Sequence, residues 1–254
     1  MPTVLLEMLR VSFVSILTLW WVVAEISATT DYCSPELCLK GRHHIGCNNT
    51  GTFSPECPQG ETKMVPMTNA LKNAILHSHN SKRQLIASGG LKGFMSAAKM
   101  KCMQWDDELA RLAALNIMTC KFGHDVCRNT FKYKQSGQNL AKFWWRGENY
   151  PAEEIIPSRV DQWWFEYKKT NMSQMLAYPR YTPEMIGHFT VMTSDINSKL
   201  GCAAIEFPSD GMNSLTLACN YAATNLIGMP MYTIGPPASK CLSGTSKEYP
   251  CLCL

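Results

Sequence analysis

Cysteine and histidine are the residues of this chain whose number and spacing can do chemistry. Twelve cysteines stand at positions 33, 38, 47, 57, 102, 120, 127, 202, 219, 241, 251 and 253. Thiolates either bind zinc or pair as disulfides. Cys251-Leu-Cys253 and the Cys120/Cys127 pair come nearest to a metal knuckle, but no pair has Cys-x-x-Cys spacing. An even count in a chain with an export signal reads as a disulfide framework, six bridges if every cysteine is used. The histidines do not form a ligand pair by spacing. His77 and His79 are two apart and project in different directions from a helix, which excludes an i, i+4 metal pair. His43 and His44 read as solvated residues of a cysteine-rich stretch. His124 is pinned between two cysteines in Cys120-Lys-Phe-Gly-His-Asp-Val-Cys127, and His188 lies in Gly187-His-Phe-Thr190. Each alone reads as a hydrogen-bonded structural imidazole. Glu166, inside the aromatic run Gln162-Trp-Trp-Phe-Glu-Tyr167, is either a solvated face residue or the carboxylate that orients a histidine. Motifs of other chemistries are missing: there is no Gly-x-Ser-x-Gly, no His-Glu-x-x-His and no phosphate loop. Gly89 to Gly93 follows a helix and reads as its stop.

The elements that must position these groups are legible in outline. With 254 residues at 46% hydrophobic, the chain can bury one full core. Only 17% of residues are charged, the net charge is +4, and no run of five Lys/Arg occurs, so nucleic acid is not an expected partner. Residues 1–28 have the plan of a secretory leader: Arg10, then the charge-free apolar run Val11 to Val23, then a cut after Ala28. Thirteen residues of helix span only about 20 Å against a hydrocarbon core of ~30 Å, so an anchor is disfavoured and no later stretch is long enough to cross a membrane. Acceptor sequons at Asn48 and Asn171 fit a secreted glycoprotein.

Residues 29–66 hold four cysteines among prolines and glycines and form a loop-rich extension. A helix follows, capped by Thr68 or Asn69 and stopped at Gly89-Gly90; a second begins at Asp106-Asp107; a third runs from about Ala152 to Lys169. Two short β-type runs, Cys202 to Phe207 and Leu215 to Tyr221, flank a turn-rich connector, so a Cys202–Cys219 bridge across a hairpin is geometrically natural. Residues 233–254 are a tail with three cysteines. Helices followed by strands argue for a mixed α and β sandwich.

The stretch GHFTVMTSDINSKLGCA (187–203) followed by ACNYAATN (218–225) resembles the paired motifs of the CAP superfamily, which includes cysteine-rich secretory proteins, antigen-five venom allergens and pathogenesis-related proteins. Other pieces agree in order: His79-Asn80 with Arg83, Trp105-Asp-Asp-Glu-Leu-Ala110, the His-Asp between Cys120 and Cys127, and Gly137-Gln-Asn-Leu140. Asp31-Tyr-Cys33, Gly46-Cys47-Asn48 and Cys57 resemble the arthropod antigen-five, venom-allergen-like branch. The resemblance runs from about residue 31 to 232, and the CAP domain it implies spans 67–232.

The fold it implies is α+β, an α-β-α sandwich with a central antiparallel sheet, disulfide-stabilised, with the cysteine-rich segment as an N-terminal extension. It also implies a groove with two histidines and two acids. The histidines fall on His124 and His188 and one acid on Glu166; the other acid position falls on Gln138, which has no carboxylate. An amide cannot serve as a general base or supply charge to a metal. Further departures are Val191 and Ser194, where the family has Gln and Trp, and Asn225, one residue early. The branch pattern joins Cys33 to Cys47, Cys38 to Cys127, Cys57 to Cys120 and Cys202 to Cys219. Cys102, Cys241, Cys251 and Cys253 fall outside it; they can supply two more bridges whose pairing the sequence leaves open.

By this resemblance the chain is expected to be a secreted, monomeric protein, not an enzyme, that binds a small hydrophobic ligand (lipid or sterol) or an extracellular protein. Trp144-Trp145 and Trp163-Trp164 either line an apolar site or pack as core and rim. No cofactor is required, although zinc or another divalent ion on His124 and His188 is the alternative, with Glu166 as base or orienting carboxylate of a hydrolase. A third expectation is a toxin-like receptor or channel ligand. The compact ten-cysteine module of vertebrate relatives is missing, since only three cysteines follow Tyr232.

Overall fold

From a first extended pair, β1 (Lys63–Met64), the chain runs through α1 (Asn69–Ala87), β2 (Gln104–Trp105), α2 (Asp107–Ile117) and β3 (Gly137–Trp145). It continues through α3 (Ala152–Trp164), a 3-10 turn (Phe165–Lys169), α4 (Met172–Leu176), α5 (Gly187–Thr193), β4 (Lys199–Ser209) and β5 (Met212–Tyr221). The computed structural model describes residues 30–147 and 150–254; the expected leader at 1–28 lies outside the described residues. Asp31–Leu254 form one compact unit.

Helix starts follow from local hydrogen bonding. Thr68 caps α1 by accepting from the Leu71 amide, and Asp106 caps α2 by accepting from the Leu109 amide. Each side chain satisfies one of the donors that a helix N-terminus leaves unpaired. Pro157 sits inside α3, and the third helical stretch does not run through to Lys169: it tightens into the 3-10 turn after Trp164.

β4 and β5 form a hairpin around Asp210-Gly211, both with positive φ. The strand order is β1-β4-β5-β3. Pairing is antiparallel except at β2, which joins β4 in parallel through Gln104 and Trp105, so the expected antiparallel sheet carries one parallel addition. The nine-residue β3, which the sequence reading did not mark, pairs along the whole of β5.

Alternation along the hairpin sorts side chains into two layers. Cys202, Ala204, Leu215, Leu217, Cys219 and Tyr221 face a core shared with α1, α3 and α5. Ala203, Ile205, Phe207 and Ala218 face the opposite way, against Ala113 and Ile117 of α2. Helices therefore cover both faces of the sheet. Gly201 lets α2 approach: a Cβ there would lie 2.2 Å from the Ala110 amide nitrogen and 2.3 Å from the Asp106 carbonyl oxygen.

Residues 31–62 form successive turns with no helix or strand, and covalent ties order them. Disulfides join Cys33 to Cys47, Cys38 to Cys127, Cys57 to Cys120 and Cys202 to Cys219, the four pairs that the resemblance implies. Tyr32 and Leu37 pack on Leu112 and Leu115 of α2, and the Tyr32 hydroxyl donates to Glu108 at 2.5 Å. His44 is not solvated as expected. It is 3% exposed, accepts from the Gly46 amide through Nδ1, and places Nε2 2.7 Å from the Asn129 carbonyl oxygen.

The C-terminal tail shows one of the two further bridges that the cysteine count allows. Cys241 pairs with Cys253, while Cys102 and Cys251 are left unbridged in this structure. Both sequon asparagines are exposed; Asn48 adopts positive φ, and Asn171 caps α4 with Oδ1.

Candidate functional site

Four elements bring the site residues together. β3 carries Gln138, the loop between Cys120 and Cys127 carries His124, the 3-10 turn carries Glu166, and the first turn of α5 carries His188. His124, Gln138 and His188 line one hollow of about 280 Å³ with Asn139 and Asn225. His124, Glu166 and His188 line an adjoining slot of about 470 Å³ with Leu140, Trp144 and Trp163.

The carboxylate of Glu166 is fully engaged. Oε1 accepts from Nδ1 of His188 at 2.6 Å, while Oε2 accepts from the amides of His188 and Phe189 at 2.9 and 3.0 Å. A negative group across the start of α5 satisfies helix-terminal donors and fixes the imidazole at once. Trp163 stacks on the same imidazole at 5.9 Å between ring centres, and its Nε1 donates to the Leu140 carbonyl.

His124 is held by an amide instead. Its Nδ1 donates to Gln138 Oε1 at 2.7 Å. The amide orientation follows from its other end, where Nε2 donates to Asp125 Oδ2 at 2.9 Å and to Asn220 Oδ1 at 3.0 Å. Asp125 is in turn paired with Arg128 through Nε at 2.9 Å. Two acceptors at the nitrogen end leave the oxygen end for the imidazole.

In its neutral form each imidazole carries its proton on Nδ1, where Gln138 or Glu166 accepts it, and a lone pair on Nε2. Asn225 braces the start of α5: its Nδ2 donates to the Gly187 carbonyl and Thr190 hydroxyl, while Oδ1 is buried with no partner among the described residues. The polar end of the cleft is therefore acceptor-rich. It suits a hydroxyl or ammonium donor, or a divalent cation.

The remaining wall is apolar. Phe122 (54% exposed), Trp144 (46%) and Met185 (65%) surround the mouth, with Leu140, Ala141 and Trp163 behind them. Trp144 and Trp163 line the slot, Trp163 from its place in the core, while Trp145 and Trp164 are core alone. Lys142 lies over the Trp144 ring at 5.1 Å.

A buried polar chain supports the cleft from below. His79 Nδ1 donates to the Ile75 carbonyl, and Nε2 accepts from the Tyr221 hydroxyl, each at 2.8 Å. Asn139 Nδ2 donates to Tyr221 and to the carbonyl oxygen of His188. Burial lowers the pKa of His79 to about 3 and raises that of Tyr221, so both are neutral at physiological pH. Arg83, wholly buried, donates to the carbonyls of Lys101, Met192, Ser194 and Asn197 and ties α1 to the end of α5. Desolvation lowers its pKa to about 10, which leaves it charged.

Sequence reasoning missed Asp125 as the holder of Gln138, Arg128 as the partner that fixes Asp125, and Asn220 as the second acceptor of the amide. The His-Asp of the 120–127 loop was the available signal for the first of these.

A disulfide-clamped sheet with helices on both faces and a two-histidine cleft is the architecture of secreted CAP domains. The model of that family, "CAP: Cysteine-rich secretory protein family", matches residues 76–221, and the chain belongs to it. Within the family it stands in the arthropod antigen-five, venom-allergen-like branch, whose members are secreted. It is 41% identical to Venom allergen-1 of Aedes albopictus over 229 residues, 89% of this chain and 88% of that protein. It is 39% identical to the Antigen 5 like allergen Cul n 1 of Culicoides nubeculosus over 188 residues, covering 70% and 84%. Among solved structures it resembles NaASP2 determined with Zn2+, with TM-score 0.61 and 25% identity over 78% of this chain and all of that one.

The residues here fit a metal ion only in part. Nε2 of His124 and of His188 can each give a nitrogen ligand. Among the described residues no group of three His, Cys, Asp or Glu stands ready for a metal.

Proposed function

We propose that this secreted protein works by binding and not by turnover, and that its cleft takes an apolar molecule with a hydroxyl head, of the sterol or lipid-alcohol kind. The observation that carries the reading is the pairing of two imidazole acceptors, Nε2 of His124 and Nε2 of His188, with a slot walled by Leu140, Trp144 and Trp163. A hydroxyl donates to the acceptors while the hydrocarbon body covers the rings. A cavity of about 470 Å³ is in the range that small ligands occupy.

The non-enzymatic half of the proposal rests on the acids. Gln138 replaces one carboxylate, and both oxygens of Glu166 are already committed to His188 and Phe189. A general base needs a free basic atom within reach of the proton it removes. Neither residue supplies one, and the two free imidazole nitrogens, Nε2 of His124 and His188, serve as acceptors for the ligand.

A second reading is favoured by the same two Nε2 atoms and by the Zn2+ named for NaASP2. His124 and His188 would hold the ion with solvent completing its shell, and Glu166 would keep His188 aligned. Bound there, a divalent ion supplies Lewis acidity at the mouth of the slot.

The test is binding of dehydroergosterol to the protein secreted from cultured cells, followed by energy transfer from tryptophan. Saturable binding that unlabelled cholesterol displaces is expected. Absence of binding with cholesterol, long-chain alcohol and fatty acid alike would overturn the ligand reading and leave a protein-partner or receptor role.

A further inference from the structure

Five bridges account for ten of the twelve cysteines and leave Cys102 and Cys251. These two are not scattered. Both are half-buried against the same apolar cluster, with Ile86, Met100, Tyr249 and Leu252 among its members.

Backbone bonding places them in one clasp. The Cys102 amide donates to the Cys253 carbonyl, and the Cys253 amide to the Met100 carbonyl. The Ser246 amide donates to the Leu252 carbonyl, closing a turn that contains Cys251. The Ser246 side chain hydrogen-bonds the Cys102 thiol. From α1, Gln84 accepts from the Cys251 amide, while its neighbour Arg83 holds the Lys101 carbonyl. Cys251 and Cys102 are therefore anchored to adjacent residues of one helix.

We infer that Cys102 and Cys251 form a sixth disulfide in the secreted protein, fastening the C-terminal clasp across α1 to the segment that leads into α2. Formation is an oxidation. One thiolate attacks a sulfur of a protein disulfide on a secretory-pathway thiol oxidoreductase, giving a mixed disulfide; the second thiolate displaces the carrier. Two protons leave the thiols, the carrier takes the two electrons, and it departs as a dithiol. The Tyr249–Leu252 turn, closed by the Leu252 amide on the Tyr249 carbonyl and exposed at Pro250, is the segment that adjusts to bring the sulfurs together.

The test is a disulfide map of the protein secreted from insect cells, blocked with iodoacetamide before digestion without reductant. A peptide pair linked through Cys102 and Cys251, with no carbamidomethyl on either, is expected. Carbamidomethyl on both, or either residue linked to Cys241 or Cys253, would overturn the inference. In parallel, Cys102→Ala, Cys251→Ala and the double variant should lower the melting temperature by the same amount, because each removes one shared bond. Additive shifts would also overturn it, and the map of the unmutated protein decides if a variant is not secreted.

Discussion

Gln138 accepts the Nδ1 proton of His124 at 2.7 Å, and in doing so it fixes which imidazole nitrogen faces the cleft. The orientation is inherited from Asp125 and Asn220, which take both hydrogens of the amide. Substituting Gln138→Leu keeps the volume but removes all three bonds and leaves Asn220 Oδ1 and His124 Nδ1 unpaired. A loss of about 1–3 kcal/mol is expected, read from urea unfolding. A variant as stable as the parent would show that the network contributes nothing.

Zinc affinity should depend on the same imidazoles. Titration calorimetry of the unmutated protein with zinc alone should show a single site, and His124→Ala with His188→Ala should abolish it. Glu166→Gln keeps the shape but weakens the alignment of His188, so affinity should fall about 10- to 100-fold. Unchanged binding in the double variant ends the metal reading.

Trp144 offers its ring to the slot while half-exposed, at 46%. Trp144→Ala should therefore weaken sterol binding by about 0.5–1.5 kcal/mol, a few-fold to tenfold, and leave the melting temperature nearly unchanged. Equal affinity for dehydroergosterol in the two proteins would remove this wall from the site.

His79 makes stability depend on pH. Its folded pKa, about 3, lies below the unfolded value of about 6.5, so between them the unfolded chain binds a proton that the native chain refuses. This contribution is intact above about pH 6.5 and is lost as the pH falls toward 3, at up to about 1.4 kcal/mol per pH unit. His79→Gln should flatten the fall in urea midpoint across that window, relative to the parent. Parallel profiles would place the acid sensitivity in other groups.

Arg83, wholly buried, spans four backbone carbonyls. Arg83→Met leaves those acceptors without their donor. A cost above about 4 kcal/mol, seen as a melting temperature roughly 10 °C lower or as failure to be secreted, is the expected result. Circular dichroism on heating reads it directly.

What the amino-acid sequence determined by itself is whatever is local or covalent. Thr68 and Asp106 cap helices because a side-chain oxygen three residues before an amide suffices. The alternation of Leu215, Leu217 and Cys219 marks a strand, and the motif order around His188 and Cys219 marks the family with its four branch disulfides. What tertiary structure alone decided is long-range. β3 was illegible because its buried, mixed composition has no clean period, and only pairing with β5 makes it a strand. His44 looked like a solvent residue until the turn region folded over it. The facing of Nε2 on His124 and His188 depends on partners at Gln138 and Glu166, 14 and 22 residues away along the chain. Hydrogen-bond direction across such distances is set by where the backbone brings acceptors together, and no spacing rule in the chain carries it.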